Sequence, residues 1–486
     1  MGHLNMEWIL RLLRILSNPT KAMDIIRVII QILAAIPGTL AGLVSILFFI
    51  RLHWPTPLLW ILKLYTSALS PVLVFIGVLT AIIGFSTGSI FIGAIGIYDV
   101  LIFSIHIFMV TRPPECSTGF EKAFGLHWET HFSSEQKKHF LSKRTILRLP
   151  VVSKTRMEQN IPFATIPESD RQLLCNLWQP PENVSPSGLA FIYLFGSAWY
   201  LLDKDLGTRP FFSHLAAQGH VVMDVAYRLG FETDMMGMVH DVKRAINWMK
   251  EHAEKYGVDP DRIIIGGGSA GGHLALLAAY TANDPQFTPT ELEGKDLSVH
   301  AVISLYGPTH LETMYYHTNQ HLTTRDTPGK PRKAAPTKMP DWIIKKMGKE
   351  YYRLHMDKGF VKAGTFAILL GGHPDEYPER YALFSPVLHV HPNCPPTLLI
   401  HGEHDVMAPV KTTRLLYRRL IEQNVQTVLH ILPQTDHAFD LIMPDISPSA
   451  HNAIYDVERF LALQVKTDEK QDMIATEIEE FQLEYL

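Results

Sequence analysis

The sequence predicts an α/β protein, a mostly parallel sheet with helices on both faces, preceded by an all-helical apolar region. Three observations predict it. From Leu189 onward, short apolar runs alternate with amphipathic stretches, as expected of strand–helix units whose strands are buried on both sides. At the centre, Ile263-Ile264-Ile265 runs into Gly266-Gly267-Gly268-Ser269-Ala270-Gly271-Gly272-His273 and then an Ala/Leu-rich helix, with only small residues at the turn. Before about residue 112, by contrast, long stretches such as Val28 to Ile50 carry no charge at all.

Bulk properties narrow the function classes. The chain has 486 residues, enough for two or three modules, and 44 basic against 48 acidic side chains. A formal charge of −4 lacks the basic footprint of a nucleic-acid binder. Cys116, Cys175 and Cys394 lie far apart without a CxxC pair, so neither a disulfide framework nor a cysteine-based zinc site is expected, and free buried thiols are. The expected organisation is a membrane region over 1–112, a connector opening the soluble domain over 113–188, a catalytic domain over 189–465 and a charged tail over 466–486.

In the first 24 residues, Arg11, Arg14 and Lys21 stand among Trp8, Ile9, Leu12, Leu13 and Leu16, the pattern of a basic amphipathic helix on a membrane surface. Three spans are expected, at 28–50, 66–85 and 90–110, with two as the alternative. The polar Ser86-Thr87-Gly88-Ser89 separates the last two, and Trp54 and Trp60 mark an interface. Asp99 falls inside the third span, and His106, two turns on, shares its face; a bland role against a neighbouring helix or a locally wet surface is expected of the acid. The basic N-terminus favours a cytoplasmic start, but one sequon, Asn183-Val184-Ser185, leaves orientation open. An integral protein of the endoplasmic reticulum or another endomembrane is expected.

Arg112-Pro113-Pro114 stops the last apolar helix, and one or two strands are expected in the connector, for example Thr145–Leu149. Strands follow at Leu189–Phe195, His220–Ala226, Ile263–Ile265, His300–Leu305, Thr397–Ile400 and Val428–Leu432. Helices are expected at Arg209–Gln218, Met238–Tyr256 and Gly272–Tyr280. Residues 308–365 interrupt this rhythm after a strand end and form a candidate lid; a solvated excursion is the alternative.

Gly267-x-Ser269-x-Gly271 between a strand and a helix lifts a serine hydroxyl above the sheet, close to the unpaired N–H groups of a helix start. Serine is a weak nucleophile and needs a base, itself oriented by an acid. After Ser269, His401-Gly402-Glu403-His404-Asp405 follows one strand and Asp436-His437 follows the last. Asp405 fits the acid better than Glu403, and His437 fits the base; Asp436 and Asp440 are backup acids. His273 is expected to pack or cap, His401 and His404 to support the acid or lie exposed, and Asp241 to anchor loops. Negative charge developing on a carbonyl oxygen needs prepositioned N–H donors. Ala270 supplies one, and Gly196 and Ser197, in the loop after the first long strand, supply others; an ordinary Gly-Ser turn is the alternative there.

With these residues placed, the region from about Leu189 to Leu463 resembles the esterase/lipase branch of the α/β-hydrolases, of the hormone-sensitive-lipase-like and carboxylesterase type. The matching text is Tyr227-Arg228-Leu229, His240-Asp241-Val242, Tyr256-Gly257-Val258-Asp259-Pro260-Asp261-Arg262-Ile263 and Gly268-Ser269-Ala270-Gly271-Gly272-His273-Leu274-Ala275. Gly267 to His273 on an apolar-anchored chain is also, more loosely, similar to prenylcysteine methylesterases. Phe195-Gly196-Ser197-Ala198-Trp199 departs from the family's His-Gly-Gly-Gly/Ala-Trp by losing its histidine. The resemblance implies an α/β-hydrolase fold and a serine hydrolase of carboxylic esters, without metal or organic cofactor. Its catalytic residues are Ser269, Asp405 and His437, and its oxyanion donors Gly196, Ser197 and Ala270. A small-molecule or lipid-like ester is the expected substrate. Acyl transfer to another nucleophile and a silent binding module are the competing functions.

Overall fold

The computed structural model describes residues 18–52, 56–150, 152, 155–167, 169–196, 198–205, 207–230, 232–318 and 369–465. Helix α1, Pro19–Ser45, opens on Asn18, whose side-chain oxygen accepts the N–H groups of Thr20 and Lys21 at 3.1 and 3.4 Å. A 3₁₀ turn, Ile46–Phe49, extends it. Helices α2 (Pro57–Ala68), α3 (Ser70–Ser86) and α4 (Ile90–Val110) follow. Among the described residues, Pro19–Phe49 and Ile90–Val110 are long and apolar enough to cross a membrane, and α2 with α3 makes a third such candidate if the bent pair counts as one.

Two expectations change here. The first apolar helix begins at Pro19 rather than near residue 28, because the Asn-Pro cap sets its start. The expected span 66–85 is not one helix: α2 and α3 meet at 72°. Pro71 is the cause, since it has no N–H to give the carbonyl of Ser67 and its ring obstructs a continuing helix. The Ser70 hydroxyl donates to that carbonyl instead, at 2.8 Å. Small residues then bring α3 against α4: a Cβ on Gly84 would stand 2.2 Å from the Gly93 nitrogen, and one on Gly96 would stand 2.2 Å from that of Ala81. Asp99 and His106 are both buried; Asp99 lies against Gly42 and Gly77, while His106 stacks on Phe48 and bonds to Ser67.

The catalytic domain holds one eight-stranded sheet. Its strands are β1 (Arg156–Thr165), β2 (Gln172–Gln179), β3 (Gly188–Leu194), β4 (Val221–Val225), β5 (Val258–Gly268), β6 (Ala301–Leu305), β7 (Thr397–Gly402) and β8 (Thr427–Leu432). Their order is β1-β2-β4-β3-β5-β6-β7-β8, with β2 antiparallel to both β1 and β4 and every other pair parallel. Central strands are apolar where helices cover them: Ile263, Ile264 and Ile265 are fully buried, and Ile264 lies between Phe191 of β3 and Ala301 of β6. Helix α5 (Arg209–Ala216) packs on β2 and β4, α6 (Met235–Glu251) and α7 (Ala270–Tyr280) on β3 and β5, α8 (Val410–Glu422) on β7 and β8, and α9 (Pro448–Leu463) on β7. This is the α/β-hydrolase fold.

The connector contributes β1 and β2, but no strand forms at Thr145–Leu149. The stretch from Leu141 to Leu149 is tied down by groups on or near α9 instead of by a ladder. Glu458 accepts the Leu141 N–H, Arg144 reaches Asn452 and Asp456, and Leu149 donates to the Asp445 carbonyl. The expected helix over 238–256 starts earlier, at the Asp234 cap, and breaks at His252. All three cysteines are free, but Cys116 is exposed rather than buried. Most of the candidate lid (319–365), the tail from 466 and the N-terminal amphipathic stretch through Ser17 lie outside the described residues.

Candidate active site

Strand β5 runs straight into Ser269, whose φ of 53° and ψ of −121° fall in a region that residues with a Cβ rarely enter. Such a conformation costs about 1–3 kcal/mol and persists only where its surroundings enforce it. The flanking glycines do so. A Cβ on Gly267 would stand 2.2 Å from the Leu194 carbonyl oxygen, and one on Gly271 1.9 Å from it, so β3 passes directly under the turn. Ser269 also donates its N–H to Leu305 at the end of β6, at 2.9 Å. The hydroxyl, half-buried, projects over the carboxyl ends of the parallel strands.

The loops after β7 and β8 bring Asp405 and His437 to that hydroxyl. His437 Nε2 stands 2.8 Å from Ser269 Oγ, and His437 Nδ1 stands 2.8 Å from Asp405 Oδ2. Asp405 fixes the tautomer: an ionised carboxylate only accepts, so Nδ1 carries the proton and Nε2 is free to accept from the serine. Burial works to raise the Asp405 carboxyl, but His437 and His401 beside it prevail and hold it well below the usual carboxylate range. Burial likewise works to lower His437, yet the charge and hydrogen bond of Asp405 outweigh it, and the imidazole is raised above its ordinary value.

The supporting groups are mostly polar and buried. Asp405 Oδ1 accepts the N–H groups of Met407 (2.8 Å) and Ala408 (2.7 Å). His401 Nε2 lies 2.8 Å from the Ala408 carbonyl and 3.2 Å from Asp405 Oδ2, while its Nδ1 is 2.9 Å from the Thr413 hydroxyl. Asp436 Oδ1 accepts from Val406 and from His437, both at 2.9 Å, pinning the two loops together. Asp440 stands apart from the imidazole nitrogens and accepts from the Tyr306 hydroxyl; burial pushes its carboxyl up to about 6. His273 donates from Nε2 to the Phe384 carbonyl (2.8 Å) and accepts from Trp199 at Nδ1, so it packs behind Ser269. Asp241 accepts from the Arg228 N–H and guanidinium and from Arg244, tying the loop after β4 to α6.

Across from His437, the Gly196 backbone passes close to the serine: a Cβ there would sit 3.2 Å from Ser269 Cβ. Ala270 opens α7, so its N–H is among the first-turn donors without a helical acceptor. Ser197 lies outside the described residues. Phe195, where the family carries histidine, stacks on Tyr227 with centroids 4.6 Å apart, and Tyr227 donates to the Phe195 carbonyl at 2.9 Å. That pair braces the loop by ring contact.

Sequence reasoning missed two contributors. Tyr306, just past β6, places its ring 4.7 Å from that of His437. Lys63 of α2 reaches Asp436 from outside the catalytic domain. Its signal was available: it is the only Lys, Arg, Asp or Glu between Arg51 and Asp99. No group of His, Cys, Asp and Glu among the described residues has the arrangement of a metal site.

The BD-FAE family model matches residues 176–341 and 351–420. The chain is 32% identical over 289 residues to the probable carboxylic ester hydrolase LipM of Mycobacterium tuberculosis, covering 59% of this chain and 57% of that protein. It is 30% identical over 284 residues to esterase LipC of the same organism, covering 58% and 61%. The chain thus spans less than two thirds of the length of either relative. A solved truncated carbohydrate esterase from gut microbiota aligns at 21% identity with a TM-score of 0.47, over 66% of this chain and 100% of that one. The sheet order and the turn carrying Ser269 are those of the α/β-hydrolase fold, and the sequence relatives that match this domain are named as ester hydrolases.

Proposed function

We propose that the protein is a serine hydrolase of carboxylic esters, held at a membrane by its apolar helices and acting on apolar or lipid-like esters. One observation carries the reading, the continuous relay from Asp405 through His437 to Ser269 with both hydrogen bonds at 2.8 Å. In this reading Ser269 Oγ bonds to the ester carbonyl carbon while its proton passes to His437 Nε2. The N–H groups of Gly196, Ser197 and Ala270 receive the negative oxygen. The tetrahedral centre then expels the alcohol, which takes the proton from His437. Water enters by the same route, with His437 as base, and releases the carboxylic acid and the free serine. The named activities of LipM and LipC support the ester class. The apolar helices support a substrate that partitions into lipid.

Labelling by a fluorophosphonate probe tests this in detergent-solubilised full-length protein. Wild type is expected to label and the Ser269→Ala variant not to label. Absence of labelling in folded wild type sinks the proposal. Product analysis with an added alcohol separates hydrolysis from acyl transfer.

A further inference from the structure

The loop that carries His437 is held from behind by the apolar N-terminal region. Lys63 is nearly inaccessible, with 1% of its side chain exposed, and the carboxylate of its partner Asp436 is fully enclosed. The three protons of its ammonium meet three acceptors: the Ile50 carbonyl (3.1 Å), Asp436 Oδ2 (3.2 Å) and His404 Nδ1 (3.2 Å). Every one of these is fixed in turn. Ile50 closes the turn after α1, His404 follows β7, and the other oxygen of Asp436 holds the N–H groups of Val406 and His437. The neighbouring helix α4 joins the same junction through His106, which bonds to Ser67 of α2 at 2.9 Å and to Gln434 at 2.9 Å.

We infer that Lys63 is a positioning residue for catalysis, a cation from the apolar region that balances Asp436 and thereby sets the placement and proton affinity of His437. The charge count behind His437 motivates it. Asp405 already supplies the one negative charge that the imidazole needs, and Asp436 brings a second to the adjacent residue. Burial raises the Asp436 carboxyl above its ordinary value, and Lys63, ahead of the N–H groups of His437 and Val406, is the foremost group acting against that rise. The remaining groups facing the pair are Arg51 and Glu403, joined to each other at 2.8 Å, with His404, His106, His401 and Asp440. None of these places a second cation in contact with Asp436 among the described residues. The helices therefore do more than tether the domain: one of them completes the environment of the base.

This rests on the reading of Ser269 and His437 as nucleophile and base, and the test separates the two ideas. Full-length protein in detergent is assayed on a soluble p-nitrophenyl ester from about pH 5 to about pH 9, and kcat/KM is fitted for its acid limb. Lys63→Met is expected to lower kcat/KM about tenfold and to raise the acid limb by about one pH unit, because an uncompensated carboxylate favours the imidazolium. Asp436→Asn keeps an oxygen to accept both N–H groups but strands the ammonium, and is expected to lower the limb. The double variant, neutral at both positions, is expected to return it to within about 0.3 unit of wild type. A folded Lys63→Met with an unmoved limb overturns the inference. Should that variant fail to fold, an unmoved limb in Asp436→Asn overturns it equally. Wild type that neither labels at Ser269 nor turns over ester sinks the hydrolase reading itself. Labelled, active wild type with unresponsive variants sinks only the role of Lys63.

Discussion

The two flanks of Ser269 are built from different materials. On the His437 side, buried charged and polar side chains hold one another: Asp405 with His401, Asp436 with Lys63, Tyr306 with Asp440. On the Gly196 side, the backbone itself is shaped, with Ala198, Trp199, Leu202 and Asp205 all at positive φ. The difference follows from the chemistry each flank is proposed to serve. Proton transfer needs a base of fixed tautomer and shifted affinity, which neighbouring charges and hydrogen bonds in a buried setting provide. Oxyanion stabilisation needs N–H groups aimed at the developing negative oxygen, which a closely approaching backbone provides. Substitutions should therefore fail in different ways on the two sides.

The largest effect is expected at the junction of the flanks. Ser269→Ala should lower kcat about 10⁴- to 10⁶-fold and abolish fluorophosphonate labelling, with the melting temperature little changed. On the side-chain flank, Asp405→Asn should keep the geometry but free His437 to hold the wrong tautomer, with a loss near 10⁴-fold in kcat. A loss below about tenfold would mean that Asp405 is not the orienting acid. On the backbone flank, Gly196→Ala removes no donor but sets a methyl 3.0 Å from the Gly268 carbonyl and 3.2 Å from Ser269 Cβ. A fall of about 10- to 100-fold in kcat at near-normal KM is expected, measured on a short-chain ester.

The pH dependence sharpens the same contrast. The base must be neutral to accept a proton, and His437 is raised above its ordinary value. Activity should thus fall as pH drops through a midpoint above about 6.5. An acid limb centred below about 6 would contradict the Asp405–His437 coupling. The raised imidazole stabilises the fold below its unfolded pKa, and that contribution is lost as pH rises through the folded one. The depressed Asp405 works oppositely, stabilising above about pH 4 and losing this as pH falls. The smallest effect belongs to Trp199→Phe, which deletes the indole N–H that His273 accepts and should cost about 1 kcal/mol in denaturant unfolding.

Much of the catalytic domain could be read locally. Buried parallel strands carry apolar runs, so β3 to β8 announced themselves, β5 only through Ile263–Ile265, and the glycines around Ser269 mark a turn with no room for further Cβ atoms. The connector was less legible. Arg156–Thr165 is largely exposed, and Pro162 and the shifted register with β2 hide its alternation. Thr145–Leu149 has strand composition, but Ile146 donates to His451 of α9 and Leu149 to the Asp445 carbonyl in place of a ladder.

What the sequence alone determined is what short-range physics controls: the apolar helices, the strand–helix rhythm, and the order of serine, acid and histidine, each just beyond a strand. What only the tertiary structure decided is which charges meet. Asp405 and Asp436 are equally acidic in a list of residues. One lies against His437 Nδ1, and the other meets Lys63 from more than 370 positions earlier in the chain. Coulomb interactions depend on distance through space and on burial, and neither can be read along a chain. The 72° break at Pro71 was visible as a proline; that α2 thereby delivers a lysine to the back of the histidine loop was not.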